Sequence, residues 1–129
     1  MFMPHKILKL ENVHPTIGYS HAAKAGNTLY IAGQIAKDMD GNLVGKGDFE
    51  KQVRQVYENL KNILVEAEGS LQNIVKMTTF LTHYSYIETY RSVRNEYFPE
   101  PCPPNTLLIV ASLALPDYMI EVEAVAILD

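Results

Sequence analysis

A chain of 129 residues with 47% hydrophobic residues and a formal net charge of −4 has the size and apolar content of one domain, spanning 1–129, around one core. The acidic balance lacks the Lys/Arg clustering of a nucleic-acid binder, no apolar stretch approaches the roughly 20 residues that span a bilayer, and Pro4, His5 and Lys6 interrupt any signal-peptide core. Nucleic acid and membrane are thereby excluded as main partners and a cytoplasmic location is predicted; the single cysteine, Cys102, excludes an intrachain disulfide or a thiolate metal cage.

Residues 6–10 alternate weakly and predict a short strand, followed by turn formers up to Gly18. Residues 20–24 and 28–34 predict a hairpin turning at 25–27, where Gly26 and Asn27 tolerate positive φ. Residues 38–47 read as a surface excursion. Asp48 is placed as the N-cap of a helix whose apolar face is Val53, Val56, Leu60, Ile63, Leu64 and Ala67, with Gly69 as its stop. A strand at 74–82, a second helix at 87–98 ended by Pro99 and Pro101, an extended proline segment, and strands at 106–113 and 119–128 complete the chain. Two helices on strand-rich sequence predict an α+β fold, with the helices on one face of a mixed or antiparallel sheet.

The strand at 106–113 is apolar on both faces: Leu107, Ile109, Ala111 and Leu113 alternate with Leu108 and Val110. In the last strand, Ile120, Val122, Ala124, Ala126 and Leu128 form one side, and Met119, Val125 and Ile127 flank Glu121 and Glu123 on the other. Large contiguous apolar patches are rare on soluble monomers, so the uncovered sheet face predicts symmetric self-association.

Five segments, I-G-Y-S-H at 17–21, Y-I-A-G-Q-I at 30–35, N-L at 59–60, I-V-K-M-T-T-F at 74–80 and L-P at 115–116 followed by I-E-V-E-A-V-A at 120–126, together resemble the RidA/YjgF family. The resemblance covers nearly the whole chain. It implies a chorismate-mutase-like fold (bacillus type), a homotrimer whose sheets form an internal barrel, and small-molecule clefts between subunits. It further implies hydrolysis of reactive enamines and imines to the corresponding 2-oxo acids and ammonia, with no metal and no cofactor.

The family holds the substrate carboxylate with an arginine after the proline turn, and that position is Asn105 here. An asparagine hydrogen-bonds a ligand without neutralising it, which points to a substrate other than the standard 2-imino acids. Glu121 falls where a carboxylate activates water and is the catalytic candidate. Tyr19, Gly33, Ile35 and Leu107 match positions lining the cleft. Arg91 stands where the family tends to have a cleft asparagine, so the exchange predicts that Arg91 supplies the cation Asn105 lacks, which requires it to face the cleft.

Each residue also has an ordinary structural reading. Glu121 and Glu123 suit interface ion pairs, Arg91 and Arg94 surface charges, Tyr19 and His21 loop packing, Gly33 a bulge or close contact, and Asn105 a turn. Two functions compete: a deaminase at an intersubunit cleft, and a trimeric metabolite-binding protein that kept the cleft and lost the chemistry.

Overall fold

The computed structural model describes residues 4–129, so the first three residues of the predicted domain lie outside it. In chain order the strands and helices are β1 (Lys6–Ile7), β2 (Ala22–Ala25), β3 (Thr28–Gln34), α1 (Phe49–Glu66), β4 (Ile74–Leu81), α2 (Ile87–Tyr97), β5 (Asn105–Ile109) and β6 (Ile120–Ile127). The strands form one six-stranded sheet in the order β1-β2-β3-β6-β4-β5. Only β4 and β5 pair in parallel, because α2 and the proline segment carry the chain back across the layer; the other neighbours are antiparallel. Both helices lie on one face, giving the expected α+β layering.

Helix α1 follows from its sequence. Asp48 Oδ1 accepts the Lys51 amide at 3.1 Å, and Val53, Val56, Leu60, Ile63 and Leu64 are completely buried against the sheet. Full burial of such a side chain contributes roughly 1.5–3 kcal/mol. Gln52, also wholly buried, clamps the helix to the last crossing: its Nε2 donates to the carbonyls of Gly45 and Asp117, and its Oε1 accepts the Met119 amide. The helix stop differs from expectation. Gly69 donates to the Leu64 carbonyl and Glu68 to that of Val65, but the left-handed residue is Glu68, at φ 64°. Gly69 instead admits close packing, since a Cβ there would lie 2.8 Å from Leu128 Cδ2.

Strand lengths also depart from prediction. The first strand pairs only through Lys6 and Ile7, and the hairpin turn is the two-residue Gly26-Asn27, with Gly26 at φ 58°. The strand expected to reach 113 stops at Ile109. As an edge strand it has only β4 to pair with, and β4 ends at Leu81, whose carbonyl takes a last bond from the Val110 amide at 2.8 Å. Along β6, Ile120, Val122, Ala124 and Ala126 are buried under the helices. The opposite face is open in the single chain: Tyr30, Leu108 and Ile127 expose 53%, 44% and 43% of their surfaces. Here the pattern apolar on both faces survives in three dimensions with one face uncovered.

Candidate functional site

The β3–β6 ladder slips once. Ile31 pairs with Ala124 and Gln34 with Val122, so Ala32 and Gly33 together oppose Glu123. This bulge changes which side chains face the core: after Leu29 and Ile31, the next buried residue is Gln34, and position 33 turns to the open face. Glu121 lies directly over it. A Cβ on Gly33 would be 2.0 Å from Glu121 Oε2, 2.7 Å from Cδ and 2.9 Å from Cγ, so any larger residue there would push the carboxylate from this position. Glu121 stands opposite Phe80 of β4, half-buried, with no hydrogen bond or ion pair among the described residues. Burial, and after it the neighbouring Glu123 carboxylate, raise the Glu121 carboxyl above its usual range.

Asn105 and Leu107 belong to the other face. They pair with Met77 and Thr79, whose side chains point under the helices. Asn105 is held from two sides: its Oδ1 accepts the Thr79 hydroxyl at 3.0 Å, and its Nδ2 donates to the Tyr90 hydroxyl. An amide has two hydrogens and two lone pairs, so one of each remains for a ligand. Thr79 and Tyr90 were not legible as its partners in the sequence, because the contact depends on the parallel register of β4 and β5. Leu107 packs on the core.

The remaining predicted residues are dispersed. Tyr19 is half exposed on the loop before β2, its ring edge-on to His21 at 6.3 Å between centroids. Ile35 follows the bulge, and its carbonyl accepts Asn59 Nδ2 at 3.0 Å. Arg91 is exposed on α2 without a hydrogen bond or ion pair among the described residues. The structure therefore brings Glu121 and Gly33 together on the open face and sets Asn105 and Leu107 beneath α2 on the other. A groove of about 550 Å³ crosses the open face past Tyr30, Lys76, Thr78 and Glu123 without reaching either group. No cluster of three or more His, Cys, Asp or Glu side chains is placed to hold a metal among the described residues.

Beside the bulge lies a buried polar group. Gln34 Nε2 donates to His21 Nδ1 at 3.0 Å, which makes His21 Nε2 the donor to the His14 carbonyl at 2.6 Å. His14 is 2% exposed, edge-to-face with His21 at 4.7 Å, and both its ring nitrogens lack partners among the described residues. Burial first, then the neighbouring His21 and Lys37 against the opposing pull of Asp38, lower its pKa to about 4.

A family model described as "Endoribonuclease L-PSP" matches residues 10–128. The chain belongs to this family, the RidA/YjgF family. Among its relatives, a "RutC family protein" of Pyrococcus horikoshii is 41% identical over 122 residues, covering 94% of this chain and 96% of the relative. The "3-aminoacrylate deaminase RutC" of Acinetobacter baylyi is 35% identical over 125 residues, with 96% and 98% covered. Among family members of known structure, yeast Mmf1 superposes with a TM-score of 0.91 at 33% identity, covering 97% of this chain and 99% of that one. RidA from an Antarctic Psychrobacter gives 0.88 at 32% identity, covering 95% and 99%. The predicted fold agrees with these family structures.

Proposed function

We propose that this RidA/YjgF chain is a cofactor-independent hydrolase that deaminates small imines or enamines at clefts closed between copies of itself. The observation that carries the reading is Glu121: a half-buried carboxylate seated on Gly33, unpaired, with its affinity for a proton raised. The Acinetobacter relative named as a 3-aminoacrylate deaminase supports the chemistry. In the proposed cycle Glu121 takes a proton from water as the oxygen adds to the imine carbon. It returns that proton to the nitrogen to give a carbinolamine, then takes the hydroxyl proton and passes it to the nitrogen as the C–N bond breaks, so that ammonia leaves a carbonyl product; no oxidant or reductant is required. An enamine enters the same route once protonated at carbon.

The two residue groups on opposite faces of one sheet support an arrangement in which Glu121 and Gly33, with Tyr19 and Ile35, meet Asn105, Leu107 and Arg91 of a neighbouring copy. The exposed Tyr30, Leu108 and Ile127 supply the apolar surface for such a contact, and a homotrimer with an internal barrel is the assembly the family suggests. The net charge of −4 favours a small-molecule role over an RNA-directed one.

The test is ammonia release from imines generated in place by an amino-acid oxidase. Glu121→Gln should lower the rate about 10²–10⁴-fold. Its thermal midpoint should not fall: a carboxyl whose pKa is raised by folding favours the fold below its unfolded pKa and loses that contribution as pH rises through the folded one, so at neutral pH the charge opposes folding. Wild-type turnover by Glu121→Gln would sink the assignment. A second reading, metabolite binding without turnover, draws on Asn105, whose amide is engaged by Thr79 and Tyr90 and carries no charge. Ligand-induced stabilisation with no ammonia release from any imine would favour it.

A further inference from the structure

Arg94 lies one helical turn beyond Tyr90 on α2, with its guanidinium carbon 5.6 Å from the centroid of the Tyr90 ring. That ring is itself wholly buried, and its hydroxyl receives the Asn105 amide. The guanidinium is thus fixed one aromatic ring away from Asn105. Its stem is half-buried, and Nε is sealed from solvent without a hydrogen-bond partner among the described residues. The one bond it makes is local, from an Nη2 hydrogen to Asn95 Oδ1 at 3.1 Å. No carboxylate among the described residues pairs with it. Glu96, two residues along the helix, is committed elsewhere: Arg54 grips both its oxygens at 3.1 and 2.8 Å.

The contrast with Arg54 is informative. Arg54 is satisfied twice over, by Glu50 and Glu96. Arg94 pays the desolvation of a guanidinium edge and receives only a neutral amide in return. Tyr57 lies nearby with its buried hydroxyl toward that of Tyr90, and the Arg94 charge acts on it against the stronger effects of burial and of Tyr90. The guanidinium of Arg94 can only donate, so what it lacks is an acceptor. A carboxylate offers two acceptor oxygens in the plane that matches a guanidinium, and it supplies the charge that the Asn95 amide does not.

We propose that Arg94 is the specificity-determining cation of this chain, recognising a carboxylate on the ligand from the face of Tyr90 while Asn105 positions that ring. This rests on the small-molecule site proposed above and names its ligand class: a small molecule bearing a carboxylate, held from α2 and not from β5. Arg91 is fully outside this arrangement in the single chain, three residues earlier and exposed.

The experiment titrates the full-length assembled protein with 2-oxobutyrate and with its neutral counterpart 2-oxobutyramide, by calorimetry. Wild type should prefer the acid. Arg94→Gln should bind the acid about tenfold to a hundredfold more weakly and the amide unchanged, the scale of a lost charge-assisted pair. Arg94→Lys should recover part of the difference, because it keeps the charge and loses the fork. Arg54→Gln serves as the control for a general loss of helix-surface charge and should leave the preference intact. Should Arg94→Gln not fold, phenylglyoxal modification of the wild type, mapped by mass spectrometry, replaces it: 2-oxobutyrate should protect Arg94 and the amide should not. Equal affinity of wild type for acid and amide, no binding of either, or unaltered acid binding by Arg94→Gln overturns the proposal. Acid preference through Arg94 without ammonia release from any imine upholds the anchor and removes only the catalytic reading.

Discussion

His14 makes acidification a sharp probe of this fold. The imidazole is 2% exposed, neither nitrogen has a partner among the described residues, and the nearby Lys37 charge works against a proton there while Asp38 opposes it. A proton is therefore far less welcome in the fold than in the unfolded chain. A group that titrates near 6.5 when unfolded and at about 4 when folded makes the unfolded chain the better proton acceptor in between. Stability should be undiminished above about pH 6.5, fall as the pH drops toward 4, and by then be reduced by about 3 kcal/mol from this residue alone, at roughly 1.4 kcal/mol for each pH unit separating the two titrations. The assay is urea unfolding followed by circular dichroism between pH 7.5 and 4 at fixed protein concentration, for wild type and His14→Phe. Phenylalanine keeps an edge-to-face ring against His21 and cannot titrate. The variant should lose most of that pH-dependent component. Parallel pH profiles for the two proteins would refute the reasoning, because the proton would then be acting at some other group.

Two further substitutions test the site and the helix end. Gly33→Ala should displace the Glu121 side chain, since its new methyl would sit 2.0 Å from Oε2, and should cost about 1–3 kcal/mol together with the proposed turnover. In the double variant with Glu121→Ala most of that stability should return, and strictly additive thermal shifts would show that the two do not meet. Glu68→Gly should stabilise by roughly 0.5–1 kcal/mol, the left-handed penalty of about 1–2 kcal/mol less glycine's larger loss of chain freedom; an unchanged urea midpoint would mean that φ 64° is not strained in Glu68.

The parts legible in the sequence are those governed by local physics. Helix α1 announces itself through Asp48 and the spacing of Val53, Val56, Leu60, Ile63 and Leu64, because a cap and a buried stripe require nothing beyond the helix and a sheet to lie on. Strand ends are another matter: β5 ends where β4 runs out of carbonyls, a fact belonging to the partner strand. Glu121 and Gly33 were recognisable as site candidates, and the bulge that seats one on the other was among the readings open for Gly33. Asn105 was found, but its direction was not, since only the parallel register with β4 turns it toward Thr79 and Tyr90. The sequence singled out Arg91 by its family position and left Arg94 a surface charge; three residues on a helix separate an exposed cation from one lying on a buried ring.

The separation of Glu121 from Asn105 by the thickness of a sheet has a genetic consequence. One gene product carries every candidate residue, yet no single molecule has them around one ligand. If the site closes between copies, a chain defective at Glu121 and a chain defective beneath α2 would each be inactive alone and would repair one another when co-assembled, each lending the face the other has kept. A damaged allele would then spoil contacts made by healthy neighbours as well, so the dose of active sites would not follow the dose of intact genes.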